Sequence, residues 1–317
     1  GIFAAVSYVI AISIYVRLYP ESAGTRPAIP WSERFGNLAK VWPVLLVFGL
    51  VVGGIYGGLF TPTEGAAVGA AGTGLIAWLN GGLDRPALTD SFMVTARSTA
   101  MIFFIVLGAS FYNGFLALTK VPQELADFVV SQGFSPWMVL TLILCFYLVF
   151  GCLMDSLSMI LLTIPIFFPV ISAMDFNLVS LPAMQASAAM EVLNVGVPDG
   201  LADGTLAAIK EAIANGAELT RDQMKELGIR VTQGMANRIE AEYVAIWFGI
   251  LVLIVVEVGL ITPPVGMNLF IINAMDRKTK MIDTYKAVMF FVASDLVRVI
   301  ILVLFPVITL LPLMLMH

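Results

Sequence analysis

Two stretches place hard oxygen atoms where an otherwise apolar sequence offers few. The first is Glu257-Val-Gly-Leu-Ile-Thr-Pro-Pro-Val-Gly-Met-Asn268, inside an apolar run from roughly Tyr243 to Ile272. Pro263 and Pro264 supply no N–H and clash with the carbonyls four residues back, those of Gly259 and Leu260. Gly266 opens backbone conformations closed to other residues. The helix is therefore expected to break in two, with carbonyls and half-helix ends left at depth. Ion-coupled carriers bind cations and anionic solutes at such breaks. A proline-kinked scaffold helix without a ligand is the plain alternative. The second stretch is Gly151-Cys-Leu-Met-Asp155-Ser-Leu-Ser158. Asp155, Ser156, Ser158 and the Gly151–Cys152 backbone can present several hard oxygens, which suit a small cation such as sodium. A carboxylate at mid-membrane costs about 2.5–3.5 kcal/mol even on the most lenient scales, so Asp155 needs a reason to be there. Glu257 stays open between ligand, protonatable group and buried partner of a helix end.

The elements that must position these residues follow from composition. With 59% hydrophobic and 12% charged residues among 317, the chain reads as an all-α polytopic membrane protein. As one helix the run around the double proline would reach about 45 Å, against a hydrocarbon core of about 30 Å. Ser135 to Ala173 would reach about 58 Å, so the chain must turn back at Gly151–Ser158. That turn lies either at the far membrane surface or at the tip of a re-entrant hairpin. Further spans are expected at 2–19, about 41–60, 65–79, about 98–118 and 287–313. Thr61-Pro62-Thr63-Glu64 has the pattern of a capping box that starts the third of these. Residues 83–97 read as a polar connector and Lys120–Gln132 as an amphipathic surface helix. Residues 174–242 are polar and rich in Ala and Gly, with short surface helices expected at 210–214 and 220–227. This divides the chain into 1–118 (with a connector at 20–40), 119–173, a polar insertion at 174–242, and 243–317.

Basic residues orient the spans. With Arg17, Arg26, Arg34 and Lys40 in the cytoplasm, alternation also places Arg85, Arg97, Arg277, Lys278, Lys280 and Lys286 inside. The 135–173 element then enters from outside. It carries no Lys or Arg at its turn, which favours a buried tip. Asp295 and Arg298 share a helical face and are expected to pair. No basic stripe points to nucleic acid. Cys145 and Cys152 sit in an apolar run and suggest neither disulfide nor metal cluster. His317 is the only histidine and ends the chain, which argues against histidine catalysis or zinc. The start at Gly1, without methionine or signal-peptide pattern, reads as the later part of a longer polypeptide.

Three motifs carry a resemblance: Gly-Ile-Tyr-Gly-Gly-Leu-Phe-Thr-Pro-Thr-Glu (54–64), Leu-Met-Asp-Ser (153–156) and Glu-Val-Gly-Leu-Ile-Thr-Pro-Pro-Val-Gly-Met-Asn-Leu-Phe (257–270). In this order they resemble the large membrane subunit of TRAP transporters, the tripartite ATP-independent periplasmic uptake systems. The likeness covers all but about 179–242. It implies the second of two inverted repeats, with a re-entrant hairpin tip at Gly151–Ser158 and a broken helix at Thr262–Asn268. By resemblance Gly151, Asp155, Ser156, Thr262, Pro263 and Gly266 hold sodium, while Ser158 and Asn268 face the solute. Ser156 departs from the family, where proline is common after the turn aspartate. The implied function is sodium-coupled uptake of a small anionic solute, such as a carboxylate, by a permease that is not an enzyme. Its implied partners are a periplasmic solute-binding protein, a small membrane subunit and the lipid bilayer of the bacterial inner membrane. Two other readings are an intramembrane aspartyl protease using Asp155 with Glu257 or Asp295, whose usual Gly-x-Gly-Asp signature is absent, and a non-transporting scaffold.

Overall fold

The computed structural model describes residues 2–20, 30, 33, 36, 41–196, 203–275 and 280–314. The described residues are helical, with turns and no strand. The chain divides into two compact units, Tyr19–Leu107 and the combination of Gly1–Leu18 with Gly108–His317. Most of the expected 20–40 connector lies outside the described residues, as do Arg26, Arg34, Arg277, Lys278 and His317.

In the smaller unit, helix α2 (Trp42–Tyr56) turns tightly into α3 (Pro62–Leu79). The Thr61 hydroxyl accepts from the Glu64 N–H at 3.3 Å, and Glu64 Oε2 accepts from the Thr61 N–H at 2.8 Å, so the capping box is closed. Gly65, Gly69 and Gly72 form the face of α3 against α2, where an added Cβ would come 2.9–3.3 Å from Ile55, Val51 or Val47. Small residues thus let the two helices approach closely. Helix α4 (Arg85–Thr119) runs unbroken through the stretch expected as a polar connector. Asp84 Oδ1 accepts the Ala87 N–H at 2.8 Å near its start, and no Gly or Pro follows Pro86 until Gly108. Polar side chains alone do not stop a helix. At about 52 Å, α4 exceeds a hydrocarbon core.

The larger unit holds α4 from Gly108 onward and the remaining helices. Helix α1 (Ile2–Leu18) packs along a helix near the C-terminus, here α13 (Met281–Leu304). The expected ion pair is there: Arg298 Nη2 lies 2.8 Å from Asp295 Oδ1, and the Tyr8 hydroxyl donates to Asp295 Oδ2 at 2.9 Å. Helix α5 (Val121–Ser131) buries Pro122 and Ala126 and packs against α7 (Ser156–Ser172), so it does not lie free on the surface. Helix α6 (Pro136–Gly151) precedes α7. After α8 (Leu181–Val195), α9 (Asp203–Ala214) and α10 (Arg221–Glu226) comes α11 (Gln233–Ile261), which begins ten residues before the apolar run expected from Tyr243. Thr232 caps α11 by accepting the Met235 N–H at 3.4 Å, and the polar turns that follow have ordinary helix formers. Helix α12 (Met267–Met275) and α14 (Val307–Met314) complete the set.

The main core is built on α6, α7 and α11, around the fully buried Tyr147, Met159, Trp247 and Leu251. The last span, expected as one run over 287–313, stops at Leu304 because Pro306 follows. Pro306 has no N–H for the Leu302 carbonyl four residues back, and the Trp247 indole N–H donates to that carbonyl instead, at 2.9 Å. The polar insertion has a small core of its own, Ala189, Ile209, Leu219 and Leu227, and the buried Gln185 accepts the Leu219 N–H at 2.8 Å. Among the described residues Arg85–Thr119, Gln233–Ile261 and Met281–Leu304 are long and apolar enough to cross a membrane.

Candidate functional site

Helices α6 and α7 form an antiparallel pair. Tyr147 and Thr163 share a 2.7 Å hydrogen bond, and the Phe146 and Phe167 rings meet edge to face at 5.1 Å, so residue numbers fall on one leg as they rise on the other. The turn between them takes only Cys152 to Asp155. Asp155 is the N-cap of α7: its Oδ2 accepts the Ser158 N–H at 2.9 Å. That bond is reason enough for a carboxylate, asparagine or serine at this position, and it leaves Oδ1 outside the cap. Asp155, Ser156 and Ser158 are half-buried.

Helix α6 runs parallel to the second half of α11. Trp137 meets Trp247 at 5.8 Å between ring centroids, with Phe176 against both, and farther along Gly151 meets Gly259. The last contact is backbone on backbone. A Cβ at Gly259 would lie 2.6 Å from the Gly151 Cα, and one at Gly151 would lie 3.1 Å from the Gly259 Cα. Neither position accommodates a side chain without moving a helix. The two helices therefore end side by side, α6 at Gly151 and α11 at Ile261. Each C-terminus is the negative end of a helix dipole, up to roughly half a charge, even though Cys152, Leu153 and Thr262 cap several of the last carbonyls. Two such ends in contact repel each other, and a cation relieves that repulsion.

Helical hydrogen bonding lapses between Ile261 and Met267. The Thr262 N–H donates to the Gly259 carbonyl at 3.0 Å and its hydroxyl to the Val258 carbonyl at 2.6 Å. The Gly259 carbonyl, expected to be freed by Pro263, is thus taken by Thr262. Gly266 has φ +57°, with its Cα side against the Thr262 carbonyl, so a larger residue there would be strained and crowded. The Cys152 thiol, 3.3 Å from the Leu148 carbonyl, also lies 4.0 Å from the Pro263 carbonyl and joins turn to break. The Tyr285 hydroxyl donates to the Pro264 carbonyl at 3.1 Å and reaches that of Val265 at 3.4 Å.

Of the residues singled out from sequence, Gly151 thus stands against the segment that continues into Thr262, Pro263 and Gly266. Asn268 is half-buried in the first turn of α12. Among the described residues no hydrogen bond joins Asp155, Ser156 or Ser158 to residues 262–268. Glu257 is exposed, on the same helical stripe as the exposed Leu253. Asp295 is held by Tyr8 and Arg298. The three carboxylates that a protease would draw on therefore have different surroundings. Sequence reasoning used Gly259 and Cys152 only for their backbone oxygens and missed the close approach at Gly259, the Cys152 thiol and Tyr285. Only Gly259 left a signal: a glycine inside an apolar helix weakens it unless something must come close.

In comparisons with known proteins, residues 1–308 match the family model described as tripartite ATP-independent periplasmic transporter, DctM component. The chain is 26% identical over 268 residues to the C4-dicarboxylate TRAP transporter large permease protein DctM of Pseudomonas aeruginosa, covering 84% of this chain and 47% of that protein. It is 32% identical over 158 residues to the sialic acid TRAP transporter large permease protein SiaM of Vibrio cholerae, covering 48% and 36%. With the ectoine TRAP transporter large permease protein TeaC of Halomonas elongata it shares 28% identity over 180 residues, covering 55% and 41%. The chain spans about half the length, or less, of these relatives.

Proposed function

The chain belongs to the DctM-component family of tripartite ATP-independent periplasmic transporters, and on that premise we propose that it forms the ion-coupling half of a sodium-driven permease for a small anionic solute. The relatives are permeases, not enzymes. The observation that carries the reading is the pair of parallel helices, α6 and α11, whose C-termini stand together at Gly151 and Gly259. The turn and the break that follow these ends supply the Pro263, Pro264 and Val265 carbonyls and the Asp155 oxygen left outside the cap. This oxygen set carries little charge and suits a monovalent hard cation. Sodium bound there neutralises the paired helix ends and draws the Cys152–Asp155 turn onto the break. Gly151, Asp155, Ser156, Thr262, Pro263 and Gly266 are the residues assigned to it.

The N-termini of α7 and α12 begin on the far sides of the same two interruptions, and helix N-termini favour anions. Ser158 and Asn268 are assigned to the solute on this ground. Sodium binding that orders both turns would then make the anion site, which couples the two. Legs of 16 and 17 residues reach only about 24–26 Å, short of a hydrocarbon core of about 30 Å, which supports a hairpin that enters the bilayer and returns. With α11 and α12 as the two parts of a broken helix, this is one repeat of an inverted-repeat carrier. The proposed partners are a periplasmic solute-binding protein and a small membrane subunit, in a bacterial inner membrane. The relatives' names carry different solutes, a C4-dicarboxylate, sialic acid and ectoine, and a carboxylate is proposed here on the chemistry of the helix N-termini.

The test uses the full-length subunit with its partners in proteoliposomes. Asp155→Asn preserves a good N-cap while removing the charge. It is expected to insert normally and to lose sodium-stimulated uptake. Uptake with unchanged sodium dependence would mean that Asp155 is a cap and nothing more.

A further inference from the structure

From the geometry of the break we infer that Tyr285 is a positioning residue for the cation: its hydroxyl holds the Pro264 and Val265 carbonyls in the orientation that binds sodium. The inference rests on the sodium reading above and deepens it. The break has few donors of its own, because Pro263 and Pro264 have no N–H and the Thr262 N–H is already given to Gly259. Its carbonyls are met by side chains arriving from two other elements. On one side the Cys152 thiol lies 4.0 Å from the Pro263 carbonyl. On the other, Tyr285 Oη lies 3.1 Å from the Pro264 carbonyl oxygen and 3.4 Å from that of Val265.

One hydroxyl proton reaching two successive carbonyl oxygens draws both toward a single point. A carbonyl oxygen has two lone pairs, so each keeps one for a second partner. The phenol is itself fixed. Tyr285 is half-buried in the first turns of α13, and the neighbouring Thr284 hydroxyl lies 3.4 Å from Asn273 Oδ1 on α12. The start of α13 thus grips both the break and the helix that follows it. Without the phenol hydroxyl, the carbonyls would have to be ordered by the cation at the moment of binding, and that cost would appear as weaker sodium affinity.

The experiment compares Tyr285→Phe and Thr284→Val with wild type, in the full-length subunit with its partners. Two readouts are used: sodium-dependent thermal stabilisation of the detergent-purified protein, and sodium half-saturation of uptake. Tyr285→Phe is expected to raise sodium half-saturation by about five- to tenfold in both, the effect of one or two neutral hydrogen bonds. The solute KM at saturating sodium is expected to stay near wild type, and the melting temperature without sodium to fall by no more than the loss of one or two hydrogen bonds brings. Thr284→Val, which loosens α13 from α12 while sparing the carbonyls, is expected to keep wild-type sodium affinity. An unchanged or tightened sodium affinity in Tyr285→Phe overturns the inference, as does an equal loss in both variants, which would mark helix docking alone. A wild-type protein with no sodium response in either readout removes the sodium reading itself. That outcome is distinct from a sodium-responsive wild type with an indifferent variant.

Discussion

The contact between Gly151 and Gly259 sets how closely the turn and the break can approach. A single methyl group at Gly259 meets backbone atoms at 2.6 and 2.8 Å, which no rotamer change can relieve. Gly259→Ala is therefore expected to destabilise the fold by about 1–3 kcal/mol, the usual size of overpacking. On the proposed sodium reading it should also weaken stabilisation by sodium, because turn and break are pushed apart. At Gly249, on the same helix, an added methyl group would meet nothing within 4 Å, so Gly249→Ala should be neutral or mildly stabilising. Thermal melting of both variants, with and without sodium, checks the pair. Equal behaviour would show that the close approach does not matter.

At the scale of elements, two helix-end devices make separate predictions. The Leu302 carbonyl, deprived of a partner by Pro306, depends on the Trp247 indole. Trp247→Phe leaves that buried acceptor unpaired and removes ring surface, and is expected to cost at least about 1–3 kcal/mol in thermal or denaturant unfolding. The capping box before the third span is sensitive to acid. Hydrogen bonds from the Thr61 N–H and hydroxyl hold the Glu64 carboxyl below its ordinary value. A carboxyl lowered on folding contributes stability above its unfolded value, and that contribution is lost as pH falls through the lowered, folded value. Titration of wild type against Glu64→Gln, which retains a capping partner, should show this acid-dependent loss in wild type alone.

For the whole molecule, the main core and the core of the polar insertion share no buried residue. The insertion is therefore expected to behave as a small helical module, which amino-acid composition did not disclose. Leu219→Ala is expected to cost that module about 2–5 kcal/mol. Limited proteolysis should then cut residues 203–230 faster, while the main melting transition of the α6–α7–α11 body stays in place. A matching fall in the main transition would show that the two cores unfold as one.

Local chemistry was readable from the residues alone. An apolar composition gave helices, Pro263 and Pro264 announced that α11 must stop, and Thr61 to Glu64 named their own cap. The turn after Gly151 followed from length and composition together, since Ser135–Ala173 is apolar almost throughout and as one helix would outrun the hydrocarbon core. Helix ends set by polar surroundings were harder to place: α4 and α11 run into polar sequence because nothing there stops them. Asp155 looked unexplained until the structure showed its bond to the Ser158 N–H. The pairing of Gly151 with Gly259, the parallel run of α6 beside α11 and the reach of Tyr285 to the break were decided only by tertiary structure. Hydrophobic periodicity and capping rules act over a few residues, whereas these contacts join residues far apart in the chain. Close packing chose them, and no local pattern encodes which distant backbone a glycine will meet.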